Sequence, residues 1–228
     1  LLRQGSSDQG RKELEAFRKA KSARPAAAAE DRARRESRIE LRVLADLARA
    51  HLEAARAGEA LKLIDEALRL SPGDLGARLL QAQALLRGRR FDDARGVYEA
   101  VLRDHPDQVE ALWNLGRLRA LAGEKREGAA LCLRAAEARP FFPEVFEFLA
   151  SLALQDGVHA ERAEEFARKA LEQRPSPANF ARLAMALHAK GNLSGCDGVI
   201  REGLSRYPGD PELVAGMEIL KRGGSRKP

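Results

Sequence analysis

The sequence predicts an all-α protein, a solenoid of stacked antiparallel helix pairs. Three observations predict it. Ala, Leu, Arg and Glu dominate the 228 residues and aromatics make up 5%, a balance that favours helix over strand. Five prolines, Pro72, Pro106, Pro140, Pro175 and Pro208, follow one another at 34, 34, 35 and 33 residues, and a fixed period of that length marks a repeat architecture. Aligning on those prolines brings three columns into register: Ala60, Ala94, Gly128, Ala163 and Cys196; Ile64, Tyr98, Cys132, Ala167 and Ile200; and Ala67, Val101, Ala135, Ala170 and Gly203.

Each unit reads as two amphipathic helices of roughly 12 to 14 residues, three to four turns at about 3.6 residues each. Gly58, Gly88, Gly123, Gly157 and Gly191 lie in mid-repeat. They are expected to end the first helix, because glycine accepts φ > 0 without steric cost. The proline closes the second helix, which it cannot continue. Small residues in the first column let the paired helices approach, and the larger columns fill the seam. One hairpin cannot bury its apolar face alone, so stacking supplies the core.

Those residues resemble the tetratricopeptide repeat. The matches are Leu44, Leu47, Ala48, Ala60, Ile64, Ala67 and Pro72 in 41–74, and Ala94, Tyr98 and Pro106 in 75–108. In 109–142 they are Leu112, Leu115, Gly116, Gly123, Ala135 and Pro140. In 143–176 they are Phe146, Leu149, Ala150, Ala163, Ala170 and Pro175, with one extra residue in the turn, and in 177–210 Phe180, Leu183, Ala184, Gly191 and Pro208. The first helix of 75–108 departs, with Arg78 and Gln81 at usually apolar places. The resemblance implies a right-handed α-solenoid of about five full repeats that binds another protein.

The ends extend the pattern. Residues 1–24 read as the close of an earlier repeat, with Gly5 in the turn, Gly10 in the small column and Leu14 and Phe17 in the seam. The start at Leu1 reads as a fragment or a processed chain that begins inside a repeat. Residues 25–40, rich in Ala and Arg, are expected to lengthen the next helix, supported by the i, i+4 pairs Glu30–Arg34 and Asp31–Arg35; a flexible linker is the rival reading. Residues 211–222 place Leu213, Met217 and Leu220 at helical spacing and read as a capping helix, followed by a basic, disordered tail over 223–228.

The net charge of +6 is unevenly spread: +4 over residues 1–40, +4 over 221–228 and −2 over the 180 residues between. Phosphate recognition wants a continuous basic face, so nucleic acid is not the expected partner, and an RNA-binding helical repeat is a distant alternative. No uncharged apolar run approaches the roughly 20 residues a spanning helix needs. A soluble protein is expected, cytoplasmic or periplasmic, from a bacterium on its Ala and Arg usage. Cys132 and Cys196 are far apart with no CxxC partner and read as small buried residues.

Catalytic chemistry is missing from the pattern. His51, His105, His159 and His188 have no Cys or carboxylate at metal-ligand spacing. The stretch GNLSGCDG lacks the Lys-Ser/Thr that follows a phosphate loop. The reading is therefore a non-enzyme with no cofactor and no metal, a scaffold for a protein or peptide or a recruiting module of a larger enzyme or envelope assembly. The open ends of a stack could also self-associate. The resemblance places the binding surface in a concave groove lined by first helices. The candidate positions are Arg49, Leu79, Gln83, Trp113, Asn114, Arg117, Glu147, Phe148, Ser151, Arg182, Met185 and His188, with Asp46 and Leu80 beside them. Trp113 follows the core slot of Leu112 by about 100° of helix rotation; groove contact and packing on the neighbouring helix both stay open for it. Phe141 and Phe142 are expected to bury in the joint between repeats.

Overall fold

The computed structural model of the chain describes residues 29–224. The expectations for 1–24 and for 225–228 lie outside these residues. The chain divides into two compact units, one ending at Arg90 and the other beginning at Phe91. The division falls between the two helices of the 75–108 repeat. Among the described residues there is helix and turn and no strand.

The first unit holds α1 (residues 29–53), α2 (Ala57–Leu70) and α3 (Leu75–Arg87). The first helix is unbroken over residues 29–40 of the Ala/Arg-rich segment, and these residues are exposed on all sides. Its second half packs: Ala48 and Leu52 meet Ala60 and Ile64 of α2 and Leu80 and Ala84 of α3. Arg87 at the end of α3 donates from Nη1 to the Leu52 carbonyl at 2.5 Å, supplying a partner to a carbonyl in the last turn of α1. Leu47 departs from the core place that the resemblance gives it. It is 48% exposed and continues an outward row from Ile39 and Val43 at four-residue steps.

The turns of this unit also correct the sequence reading. Gly58 lies inside α2, and Gly88 has φ −77°. The left-handed conformation falls instead on Ala55 (φ 57°) and Arg89 (φ 59°). Glycine near the middle of a repeat thus marked the region of the turn, three residues late in one case and one early in the other.

The second unit begins with α4 (Phe91–Asp104). Three helix pairs follow: α5 (Val109–Leu121) with α6 (Lys125–Ala138), α7 (Pro143–Asp156) with α8 (Ala163–Gln173), and α9 (Pro177–Ala189) with α10 (Leu193–Arg206). Helix α11 (Pro211–Gly224) lies against α9 and α10 and runs two residues past the expected 222. Gly123, Gly157 and Gly191 carry φ of 95°, 69° and 76°, as expected of turn glycines. The extra residue in the 143–176 repeat is taken up by a second left-handed residue, His159, and a 3-10 turn over Ala160–Arg162.

All three columns are buried. At Gly128 the small column meets Gly116 of α5: a Cβ on Gly116 would stand 2.6 Å from Cys132 Sγ and 2.8 Å from the Gly128 oxygen, and one on Gly128 would stand 2.5 Å from the Gly116 oxygen. Helices α5 and α6 therefore touch backbone to backbone. A continuous core then runs through Leu112, Cys132, Phe146, Leu149, Phe166, Leu183 and Ile200. Leu213 of α11 and Phe180 close over Gly203, so the last helix is seated by a missing side chain.

Candidate functional site

The second unit sets the first helices α5, α7 and α9 side by side, and most of the candidate positions lie on them. Leu112 is fully buried, and Trp113, one place on, is half-buried. The Trp113 ring meets Phe142 and Phe148 edge-on, each at 5.5 Å between centroids. The Arg117 guanidinium lies 5.2 Å from the Trp113 ring centre, and Arg139 lies 5.3 Å from that of Phe142. Such stacking favours a desolvated cation on an aromatic face. Trp113 thus packs on the neighbouring repeat and still keeps part of its surface open.

Phe142 reaches Trp113 at the expense of a helix cap. Positions 74, 108, 142, 176 and 210 recur every 34 residues ahead of the next helix. Asp74, Gln108, Ser176 and Asp210 each accept a backbone N–H of that helix with their side chain. Phe142 cannot do so. Its own N–H is taken instead by Gln173 Oε1 at 2.9 Å, while Gln173 Nε2 donates to the Pro140 carbonyl at 2.7 Å. Phe141, expected to bury beside it, is 70% exposed. The link is not helical here, with φ −150° and ψ 79° at Phe142, and the two neighbouring side chains end in different surroundings.

A polar network ties α7 to α9. Asn179 is fully buried. Its Nδ2 donates to Glu147 Oε1 at 2.9 Å and to the Arg174 carbonyl at 2.9 Å. Its Oδ1 accepts from Arg182 Nη1 at 2.7 Å, and Arg182 Nε reaches Ser151 Oγ at 3.3 Å. Ser151 in turn donates to the Glu147 carbonyl at 2.9 Å. Arg174 pairs with Glu144 and lies 3.5 Å from Glu147. Burial alone would raise the Glu144 carboxyl, but hydrogen bonds from Arg174 and its own backbone hold it below the usual carboxylate range. Glu147, Ser151 and Arg182 therefore carry internal bonds as well as facing the surface, and Asn114 donates to the Glu110 carbonyl at 3.0 Å.

Beyond the network lies a cavity of about 640 Å³ between α7, α9, α10 and α11, with Leu154, Gln155, Arg182, Met185, His188 and Ile219 among its walls. Met185 is 55% and Ile219 62% exposed. Its volume is in the range of small ligand pockets. Cys196 lines it, with a thiol pushed upward by burial and by Asp197. Burial pushes the Cys132 thiol up to about 12. Neither cysteine is a reactive thiolate.

The remaining candidates, Arg49, Leu79 and Gln83, belong to the first unit. Arg49 pairs with Asp46 at 2.8 Å on an exposed helix face. Leu79 is 9% exposed and Leu80 6%, and Leu80 belongs to the core of its unit. With Arg78 and Gln81 at core places, α3 turns Leu79 and Leu80 inward, so the even spacing from one repeat to the next mislocates both. Gln83 is half-buried. Asn179, Phe142, Leu154 and Ile219 were not among the candidates. Two of them had a signal: Asn179 is the polar member of the buried column Ala77, Ala111, Val145, Asn179 and Leu213, and Phe142 is the aromatic member of the cap column.

Among the described residues no group of three His, Cys, Asp or Glu gathers as a metal site, and no helix is long and apolar enough to cross a membrane. The depressed carboxyls are held by ion pairs. Glu165, bound by Arg162 at 2.9 Å and Lys169 at 3.0 Å, falls to about 2, and Glu164 is lowered by Lys190 and Arg168.

The profile of the tetratricopeptide repeat family matches residues 45–99 and 79–143. Cellulose synthase operon protein C of Pseudomonas fluorescens is 29% identical over 176 residues, 73% of this chain, and the chain spans 14% of its length. A tetratricopeptide repeat protein from Parabacteroides merdae superposes with a TM-score of 0.65 at 18% identity, over 79% of this chain and 72% of that one. MamA from Desulfovibrio magneticus superposes with a TM-score of 0.63 at 17% identity, over 75% and 98%. Proteins of this fold act in general as scaffolds for protein–protein interaction rather than as catalysts. The 34-residue period, the buried columns and these matches identify tetratricopeptide repeats in this chain, by profile over residues 45–143 and by fold beyond them.

Proposed function

We propose that this chain binds a protein or peptide partner on the first-helix face of its second unit. One observation carries the reading. Trp113 and Arg117 keep surface open on α5, and Met185 and His188 keep it open on α9, where they line a cavity of about 640 Å³, while the polar groups between the two ends are already bonded to one another. An aromatic with an arginine at one end of a face and a ready-made cavity at the other are what a partner's side chains need as anchors. The test is affinity capture from native lysate with identification by mass spectrometry, wild type against Trp113→Ala, Arg117→Glu, with helicity checked by circular dichroism. A protein retained by the wild type and lost by the folded variant supports the reading. Equal retention by both sinks it.

A second reading follows from the relative named for a cellulose synthase operon, of which the chain spans 14%. The segment would then recruit partners on behalf of a longer protein. Co-purification with the full reading frame tests this, and a partner that binds only elsewhere on the long chain counts against it.

A further inference from the structure

We propose that the first-helix face of the second unit takes an acidic peptide anchored by one large apolar side chain, with its carboxylate at Arg117 beside Trp113 and its apolar group in the cavity at Met185 and Leu154. This rests on the reading of that face as a partner site and adds the chemistry and direction of the partner.

The charge pattern carries the argument. The two carboxylates in the middle of the face are answered from within: Glu144 by Arg174, and Glu147 by Asn179 and Arg174. Arg182 has neutral acceptors, Asn179 Oδ1 and Ser151 Oγ. Arg117 is different. It is exposed, stacks on Trp113, and among the described residues has no carboxylate within ion-pair distance. A guanidinium over a ring face can still receive a carboxylate through two N–H donors on its edge, and Arg117 is exposed. Arg139 adds a second cation at the same end, over Phe142. At the far end of the cavity the rim carries Glu212 of α11. Glu110, the one carboxylate of α5, is already engaged, so the face offers cations at α5 and a carboxylate at α11, and a peptide lies with its acidic end toward α5. Packed helices stand about 8–10 Å apart, so two steps from α5 to α9 span about 16–20 Å. An extended strand covers that in about five or six residues at about 3.3 Å each.

Trp113 is the chain's only tryptophan, so its emission reports this face alone. The experiment is selection of a random 12-residue peptide library on the whole chain, followed by titration of synthetic winners against Trp113 emission. The expected winners place Glu or Asp about five or six residues from Leu, Ile, Phe or Met and shift the emission on binding. Arg117→Glu should weaken them at least tenfold, Arg117→Lys far less, and a peptide with Lys for its Glu should regain affinity for Arg117→Glu. Met185→Arg should also weaken binding at least tenfold. Both positions are exposed, and circular dichroism checks that the variants keep their helix. Winners that are basic or uncharged but lost with Met185→Arg overturn the acidic class and leave the partner face standing. Winners indifferent to both substitutions, or no winners at all, overturn the proposal and the partner face together.

Discussion

In the second unit the turns that join paired helices rest on Gly123, Gly157 and Gly191 at positive φ; in the first unit they rest on Ala55 and Arg89. The core differs in the same direction. The second unit brings glycine backbones together at Gly116 and Gly128 and runs one continuous core through three helix pairs, whereas the first leaves Ile39, Val43 and Leu47 of α1 outside its core. The same repeat is thus written tightly in one unit and loosely in the other. The face with the cavity sits on the tight one, where rigid neighbours hold side chains in place.

The comparison can be broken at its strongest point. Gly116→Val drives a side chain into Cys132 Sγ and the Gly128 oxygen and should cost about 3 kcal/mol, the upper range for overpacking. Gly58→Ala in the first unit meets nothing within 4 Å and sits inside α2, so it should gain about 0.5–1 kcal/mol from helix propensity. Thermal melts followed by circular dichroism give both signs, and equal losses would refute the contrast. Next in size is Asn179→Ala, which strips partners from Glu147, Arg182 and the Arg174 carbonyl. A buried polar group left without its partner costs about 1–3 kcal/mol, and denaturant titration would read it.

The turns sharpen the contrast at smaller scale. Ala55→Gly relieves about 1–2 kcal/mol of left-handed strain and adds about 0.5–1 kcal/mol of unfolded-chain entropy, for a net gain near 0.5–1 kcal/mol. Gly157→Ala should lose about 1 kcal/mol by the same strain. A loss at Ala55 or a gain at Gly157 would contradict the φ values. Even the tight unit has a loose end at Tyr98. It is fully buried and its hydroxyl has no hydrogen-bond partner among the described residues, so Tyr98→Phe should leave stability unchanged within about 0.5 kcal/mol or raise it.

The smallest expected effect is a pH dependence. The Glu165 carboxyl, held by Arg162 and Lys169, is depressed to about 2, against about 4.3 unfolded. A depressed carboxyl contributes stability that is present above its unfolded value and lost as pH falls toward its folded one. Glu165→Gln should therefore narrow the difference in melting temperature between about pH 5 and pH 2. Glu165 is 42% exposed, so solvent screening keeps the change small. A variant with an unaltered acid slope would remove Glu165 from that account.

Much of the fold was legible because it recurs. Five prolines and three columns fix which residues turn inward, and every column member is buried. Legibility failed where one copy broke the pattern. Helix α3 has Arg78 and Gln81 at core places, so its apolar residues rotated and carried Leu79 and Leu80 inside. Glycine gave the turns of the second unit and missed those of the first, since Ala55 and Arg89 bear the strain there. The candidate site was legible in part for the same reason. Positions counted from the prolines put Trp113, Arg117, Met185 and His188 on first helices, where each keeps some surface open. What the count could not supply was cross-repeat bonding: that Glu147, Ser151 and Arg182 would meet through Asn179, or that Phe142 would forgo capping for the Trp113 ring.

Asn179 also sets an interval. Apolar surfaces tolerate sliding by a fraction of a side chain, but hydrogen bonds have direction. With Asn179 bonded to Glu147 and, through Arg182, to Ser151, α7 and α9 are locked in step before anything arrives. For the partner proposed above, the pair would act as a ruler with fixed graduations, its points of contact spaced during folding. The ordering cost would then fall on the folding of the repeat and not on the encounter, and a guest whose own spacing differs would be refused by geometry alone.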